Sequence, residues 1–205
     1  MFIHAKLGHS TVNGPGPRAV VWFQGCVGMN CPGCWNPETH QMFTGEEVHS
    51  EDLAKWITAQ PEISGVTFSG GEPMHQAPGL VITLLRLKEM APDLSVGMFT
   101  GYTENELKTG SYRCHITRDN APIATSNVRR MIWEHIRECL DFAVMGRYNQ
   151  LKPANSQLCS SENQRLRLFS KRYTEADFAG PLEVEVTVDE DLIQITGFPV
   201  EGVEL

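Results

Sequence analysis

Three cysteines fall within nine residues, Cys26-Val-Gly-Met-Asn-Cys31-Pro-Gly-Cys34, directly after an apolar run, Ala19-Val-Val-Trp-Phe23. Thiols this close can converge on one metal centre, so the segment must fold as a tight loop hung from the end of a strand. A tetrahedral iron or zinc site takes four ligands, and this loop offers three. The fourth position is either filled by another residue or left to an exogenous ligand, where chemistry can occur. Sulfur suits iron–sulfur clusters, zinc and copper. The Cys-x4-Cys-x2-Cys spacing leaves two centres open. One is a cubane cluster with three irons held by protein; the other is a zinc knuckle completed by a histidine such as His40 or His9.

Around this loop the chain alternates strand and helix. Residues 2–7 and 18–23 read as strands joined by the turn-rich Asn13-Gly-Pro-Gly-Pro17. Residues 46–60 read as a helix, with Leu53, Trp56 and Ile57 at i, i+3, i+4 and Pro61 ending it. Residues 65–68 form a short buried strand that runs into Ser69-Gly-Gly-Glu-Pro73. Residues 80–90 are helical, with Leu80, Leu84 and Leu87 on one stripe and Val81 and Leu85 beside it. A strand at 94–99 ends in Thr100-Gly-Tyr102, and a short helix begins at 104–108. Residues 109–126 are polar and irregular, an expected inserted loop. Residues 128–139 are helical with Met131, Ile132, His135 and Ile136 as the apolar side. A strand at 141–145 closes in Gly146-Arg-Tyr148, and residues 149–163 lack periodicity. Residues 183–188 and 192–196 alternate like a hairpin.

This order predicts βαβ units on a parallel sheet. Ligands of such sheets bind beyond the carboxyl ends of the strands. The cysteine loop, the Gly-Gly-Glu turn and the Thr-Gly-Tyr turn each follow a strand, so they are expected on one edge. Two glycines let the backbone approach a ligand closely, with one of them at positive φ. Carbonyls exposed there accept hydrogen bonds from an ammonium group; Glu72 adds a carboxylate, and Pro73 stiffens the exit.

A length of 205 residues suits one domain: a body over 1–180 and a hairpin extension over 181–205. The net charge of −8 argues against nucleic acid, which needs a basic face. Arg165, Arg167, Lys171 and Arg172 read as a solvated face. No apolar run approaches the ~20 residues that span a bilayer, and the opening Met-Phe-Ile-His-Ala-Lys lacks signal-peptide architecture. A cytoplasmic protein without membrane or nucleic-acid partners is expected. Cysteines in that compartment point to metal or catalysis before disulfides. Cys114, Cys139 and Cys159, scattered singly, read as small buried apolar residues.

Taken together the motifs resemble those of radical S-adenosylmethionine (SAM) enzymes, and among them the small activating enzymes of glycyl radical enzymes. The anaerobic ribonucleotide reductase activating proteins are the most similar group. Val12-Asn-Gly-Pro-Gly-Pro-Arg18, Phe23-Gln-Gly-Cys26, Cys31-Pro-Gly-Cys34-Trp-Asn36, Ser69-Gly-Gly-Glu-Pro73, Thr100-Gly-Tyr102, Gly146-Arg-Tyr148 and Ser161-Glu-Asn-Gln164 carry the resemblance, in the family's order over residues 9 to 170.

The resemblance implies a partial, open (β/α) barrel of the radical SAM type with a C-terminal β-hairpin. A complete eight-fold barrel takes ~250 residues. Cys26, Cys31 and Cys34 would hold a [4Fe-4S] cluster, with SAM on the fourth iron. Ser69, Gly70, Gly71 and Glu72 would anchor its methionine end. Trp35 and Asn36 would lie near the adenine, and Thr100 would line the cleft. A low-potential donor such as flavodoxin or ferredoxin would supply one electron. The 5′-deoxyadenosyl radical would take hydrogen from a glycine of a partner enzyme. The chain departs from the family twice. Its cysteine loop is one residue longer than the usual Cys-x3-Cys-x2-Cys, and Met145 stands where relatives carry an aspartate. Asp141, four residues earlier, is the candidate to take that polar role. Two other readings are a radical SAM enzyme acting on a peptide or small molecule, and a non-catalytic zinc-binding interaction module.

Overall fold

A computed structural model describes residues 1–114, 125–156, 158–189 and 192–198. Most of the expected loop at 109–126, and the tip of the C-terminal hairpin, lie outside the described residues. The chain runs β1 (Phe2–Ser10), β2 (Arg18–Phe23), β3 (Glu46–Glu47), α1 (Ser50–Thr58), β4 (Gly65–Gly70), α2 (Ala77–Met90), β5 (Ser95–Thr100), α3 (Glu104–Thr109), α4 (Ser126–Arg137), β6 (Phe142–Met145), β7 (Pro153–Ser156), β8 (Cys159–Ser161), β9 (Arg165–Leu168), β10 (Val184–Asp189) and β11 (Leu192–Gly197).

Seven strands form one mixed sheet in the order β3-β1-β2-β4-β5-β6-β9. Its centre, β2-β4-β5-β6, is parallel, and β1, β3 and β9 pair antiparallel at the flanks. The parallel strands follow one another across the sheet without reversal. Right-handed crossovers then place every helix on the same face. Alternation along the strands shows this directly. Val21, Phe23, Val66, Phe68, Val96, Met98, Ala143 and Met145 join Leu53, Ile57, Leu80, Leu84, Trp133 and Ile136 in one buried cluster.

The opposite face carries the intervening residues, and at its amino end sits a buried cation. Arg18 is fully buried and has no carboxylate partner among its hydrogen bonds. Its guanidinium donates to the Thr67 hydroxyl (2.8 Å), the Val66 carbonyl (2.8 Å), the Pro15 carbonyl (3.0 Å) and the Ser95 carbonyl (3.2 Å), and it lies over the Phe142 ring. Burial pulls its pKa down, but five donors meeting neutral acceptors keep the charge tolerable. Arg18 thereby seals the end of the inner face away from the cysteine loop.

Several sequence expectations shift. The helix expected from residue 46 starts at Ser50, because Glu46 and Glu47 are drawn into the sheet against Ile3 and Phe2. On α4 the buried residues are Trp133 and Ile136, whereas Met131 is 60% exposed and His135 faces solvent. Burial follows the stripe through Trp133, not the apolar character of Met131. β7, β8 and β9 form in and beyond the segment that lacks periodicity. On β9, Leu166 and Leu168 alternate with Arg165 and Arg167, and charges on an edge strand discourage pairing with another chain. The basic residues there are not a free patch: Arg167 pairs with Glu104 (3.0 Å) and Arg172 with Asp141 (3.4 Å). No helix among the described residues is long and apolar enough to cross a membrane.

Trp133 is the largest fully buried side chain, and its indole N–H has no hydrogen-bond partner among the described residues. Trp133→Ala should cost about 3–5 kcal/mol of unfolding free energy in urea denaturation. Trp133→Phe should cost no more than about half as much, because it removes the unpaired donor along with part of the ring.

Candidate metal centre

The carboxyl ends of the parallel strands stand side by side: Phe23 registers with Gly70, and Thr100 with Met145. Four loops leave this edge, beginning at Gln24, Gly71, Gly101 and Gly146. The expected convergence of the cysteine, Gly-Gly-Glu and Thr-Gly-Tyr loops is present, and the Gly146-Arg-Tyr148 turn joins them.

The first two loops are bonded backbone to backbone. The Gly71 N–H donates to the Phe23 carbonyl (2.8 Å) and the Glu72 N–H to the Gly25 carbonyl (2.9 Å). A Cβ on Gly70, whose φ is +95°, would lie 2.5 Å from the Phe23 nitrogen; one on Gly71 would lie 2.5 Å from the Gly25 oxygen. Neither site has room for a side chain. The returning segment braces the loop from the other side, with Gly25 N–H on the Thr39 carbonyl (2.7 Å) and Cys26 N–H on the His40 carbonyl (3.1 Å).

Inside the loop, Gly28 (φ 77°) and Asn30 (φ 47°) both adopt the left-handed conformation. Glycine does so freely and asparagine tolerates it. The chain thus coils back on itself between Cys26 and Cys31, which is how a longer spacing is accommodated. Cys31 and Cys34 are linked by a turn over Pro32 and Gly33, with Cys34 N–H on the Cys31 carbonyl (3.3 Å).

Cys26, Cys31 and Cys34 are all half-buried and line one cavity of about 620 Å³. That volume lies within the range of about 300–1,000 Å³ of small-molecule sites. The Tyr148 N–H points at the Cys31 sulfur and the Asn36 N–H at the Cys34 sulfur. Burial pushes all three thiols up, so they stay protonated until a metal displaces the proton. Backbone N–H groups aimed at sulfur are a feature of iron–sulfur ligation. Three such sulfurs on a cavity that continues past them fit a cluster with one corner left for an exogenous ligand. As they stand, no three His, Cys, Asp or Glu among the described residues are grouped tightly enough to hold a metal ion, the three thiols included, so the geometry does not by itself choose between a cluster and a zinc ion. All six cysteines are free thiols; Cys114 and Cys159 are buried, and Cys139 is half-buried.

Glu72 is 1% exposed. Its Oε1 accepts from the Met74 N–H (2.9 Å) and the Thr100 hydroxyl (2.8 Å), and its Oε2 from the Gly101 N–H (2.8 Å). Burial pushes its pKa up to about 7, against the pull of these donors and of Arg147. Glu72 therefore ties the second loop to the third. Ser69, Gly70, Gly71 and Thr100 border the cavity beside it.

Trp35 is 44% exposed at the cavity wall, its ring 5.6 Å from that of Tyr148. It is not a core residue. Asn36 lines the same wall, and its carbonyl accepts from the Thr39 N–H and hydroxyl.

Asp141 corrects the sequence reading. It precedes β6, at the amino end of the sheet, and accepts from the Val96 N–H (2.9 Å) and the Ser170 hydroxyl (2.5 Å). The strand carries it away from the cavity, and even spacing to Met145 does not help, because Met145 itself points into the helix-side core. Asp141 is a clamp between β5 and the chain after β9.

Sequence reasoning also missed residues of the wall. Trp22 and Phe99 line the cavity from the inner face of β2 and β5, a placement that the period of two along each strand would have given. Tyr148 follows a strand end just as the other loops do. Val184 and residues 195–198, from the C-terminal hairpin, line it too, and no local pattern signals that.

Residues 12–167 match a family model described as a 4Fe-4S single cluster domain. The chain is similar to the anaerobic ribonucleoside-triphosphate reductase-activating protein of Vibrio cholerae serotype O1, at 36% identity over 102 residues, covering 47% of this chain and 65% of that protein. It is similar to the pyruvate formate-lyase-activating enzyme of Clostridium pasteurianum, at 43% identity over 90 residues, covering 42% of this chain and 37% of that protein. The chain spans less than two thirds of the length of these curated relatives.

Glu72 yields a pH test. Its folded pKa is raised, so its contribution to stability is fully present below the usual carboxylate range near 4.5 and is lost as pH rises through about 7. Between about pH 5 and pH 8 the wild type should lose about 2 kcal/mol of unfolding free energy relative to Glu72→Gln. Equal slopes for the two proteins would show that the carboxylate titrates normally.

Proposed function

Because the chain belongs to the 4Fe-4S single cluster domain family, we propose that it is a radical SAM enzyme of the glycyl-radical-activating kind. One observation carries the reading. Three half-buried thiols of a single loop share a cavity with a Gly-Gly turn that is bonded to the backbone of that same loop. In this reading Cys26, Cys31 and Cys34 hold a [4Fe-4S] cluster. The chemistry such a cluster supplies is one-electron reductive cleavage of SAM to a 5′-deoxyadenosyl radical, which takes hydrogen from the substrate.

The residues of the chain bind and orient. Ser69, Gly70, Gly71 and Thr100 border the methionine end of SAM, and the glycines let the ligand come close to backbone. Glu72 sets the position of both turns, its oxygens engaged by protein donors. Asn36 and the Trp35–Tyr148 pair flank the adenine. The single-sided sheet is the frame of a partial (β/α) barrel over 1–180, with 181–205 as its hairpin extension. An open flank suits a protein substrate. The relative from Vibrio cholerae is named for activating an anaerobic ribonucleoside-triphosphate reductase and that from Clostridium pasteurianum for activating pyruvate formate-lyase. By extension, the partner of this chain is a glycyl radical enzyme. Flavodoxin or ferredoxin is the proposed electron donor, and the cytoplasm the compartment.

Anaerobic purification should give a brown protein with about four irons per chain. A colourless protein with about one zinc would replace this reading with the zinc-module one. Cys26→Ala, Cys31→Ala and Cys34→Ala should each abolish 5′-deoxyadenosine formation from SAM and dithionite, while Cys114→Ala, Cys139→Ala and Cys159→Ala keep the iron. Coexpression with a glycyl radical enzyme should give a doublet in electron paramagnetic resonance. SAM cleavage without that doublet would move the substrate to a peptide or small molecule.

A further inference from the structure

The C-terminal hairpin lies outside the stretch matched by the family model, which ends at residue 167. It nevertheless completes the cavity that holds the cysteines. Val184 and Ile195 reach its wall, and the Phe198 ring stands 5.9 Å from that of Phe99. The hairpin is fastened to the β1–β2 turn. Asn13 donates to the Thr196 hydroxyl (2.9 Å), and the Thr11 N–H donates to the Glu185 carboxylate (3.2 Å).

One face of the hairpin runs from the cavity into solvent. Val184 opposes Gly197, and Val186 opposes Ile195, so these four share a face with Val188. Val184 is half-buried, whereas Ile195 is 44%, Val186 56% and Val188 71% exposed. Apolar exposure therefore rises steadily with distance from the cavity. A cavity of about 620 Å³ that must take cluster and nucleotide has room for only the reacting end of a further substrate. The rest of that substrate must lie across the rim, and this ribbon is an aliphatic stretch of it, beside the aromatic stretch of Trp35 and Tyr148.

We propose that the hairpin is the substrate-positioning wall of the enzyme: Val186, Val188 and Ile195 receive an extended apolar segment of the partner polypeptide, next to the glycine whose hydrogen is taken. The inference rests on the activating function proposed above. Val186 and Val188 act on the partner's position and touch neither cluster nor SAM.

The test uses the full chain, loaded with cluster, and the glycyl radical enzyme encoded in the same genome. Val186→Thr with Val188→Thr keeps β-branched residues in the strand, so the hairpin should still form; near-ultraviolet circular dichroism checks this. The double variant should raise the apparent KM for the partner ~10-fold, with kcat and partner-free 5′-deoxyadenosine formation within ~2-fold of wild type. Val186→Glu with Val188→Glu should raise KM further. An unchanged KM in both variants, beside a wild type that makes the glycyl radical, overturns the role of the hairpin alone. A wild type that cleaves SAM but makes no glycyl radical overturns the activating function, and this inference with it.

Discussion

The site depends on a contact in which no side chain takes part. Gly70 and Gly71 lie against the backbone of residues 22–25, and two N–H groups of the turn close onto the carbonyls of Phe23 and Gly25. Both strand ends are already fixed by the parallel ladder between β2 and β4. The paired hydrogen bonds carry that registration one step further, into the loop that bears the cysteines. Any Cβ at either glycine would push the two loops apart by more than the contact tolerates. The sulfurs are therefore placed by sheet geometry, and a long, irregular loop needs little internal structure to hold them.

Glu72 extends the same logic to the next strand. Its backbone belongs to the second loop, while its carboxylate takes donors from Thr100 and Gly101 in the third. A buried carboxylate without an adjacent cation is costly, and three donors offset that only in part, hence its raised pKa. The Arg147 guanidinium sits near enough to favour the charge, but it is held by Glu106 in a two-point ion pair. At the other end of the inner face, Arg18 is a buried cation served by neutral acceptors. Val20, Phe142 and Val144, on the same face of the sheet as Arg18, are buried.

Much of this was legible because strands and loops obey local rules. β2 matched its expected bounds, since an unbroken apolar run flanked by a Pro-rich turn and a glycine has little freedom. The three loops were placed on one edge by topology alone, a deduction from the alternation of strand and helix. Other features depend on contacts distant in sequence. Asp141 and Met145 share spacing and strand, yet a four-residue strand runs from one edge of the sheet toward the other, so the aspartate is left at the wrong end. Period alone does not say which end is which. Met131 looked as apolar as Ile132, but α4 packs against both α2 and α3, and its buried side runs through Trp133 and Ile136. The short β7 and β8 carry polar residues whose pairing rests on each other, which no periodic signal reveals.

The two halves of the cavity wall differ in kind. One half is backbone, glycine and committed polar groups, with Glu72 and Thr100 engaged by each other and by neighbouring N–H groups. Substitution there disturbs several loops at once, so that half is suited to a ligand that does not change. The other half comes from β10 and β11, whose attachments among the described residues include the Asn13–Thr196 and Thr11–Glu185 hydrogen bonds and the Phe99–Phe198 ring contact. Val186 and Val188 on it face solvent and can be exchanged without disturbing the seven-stranded sheet. On the substrate-positioning role proposed for the hairpin, such a wall would separate holding the reactive group from choosing what reacts, with the choice on an element outside residues 12–167.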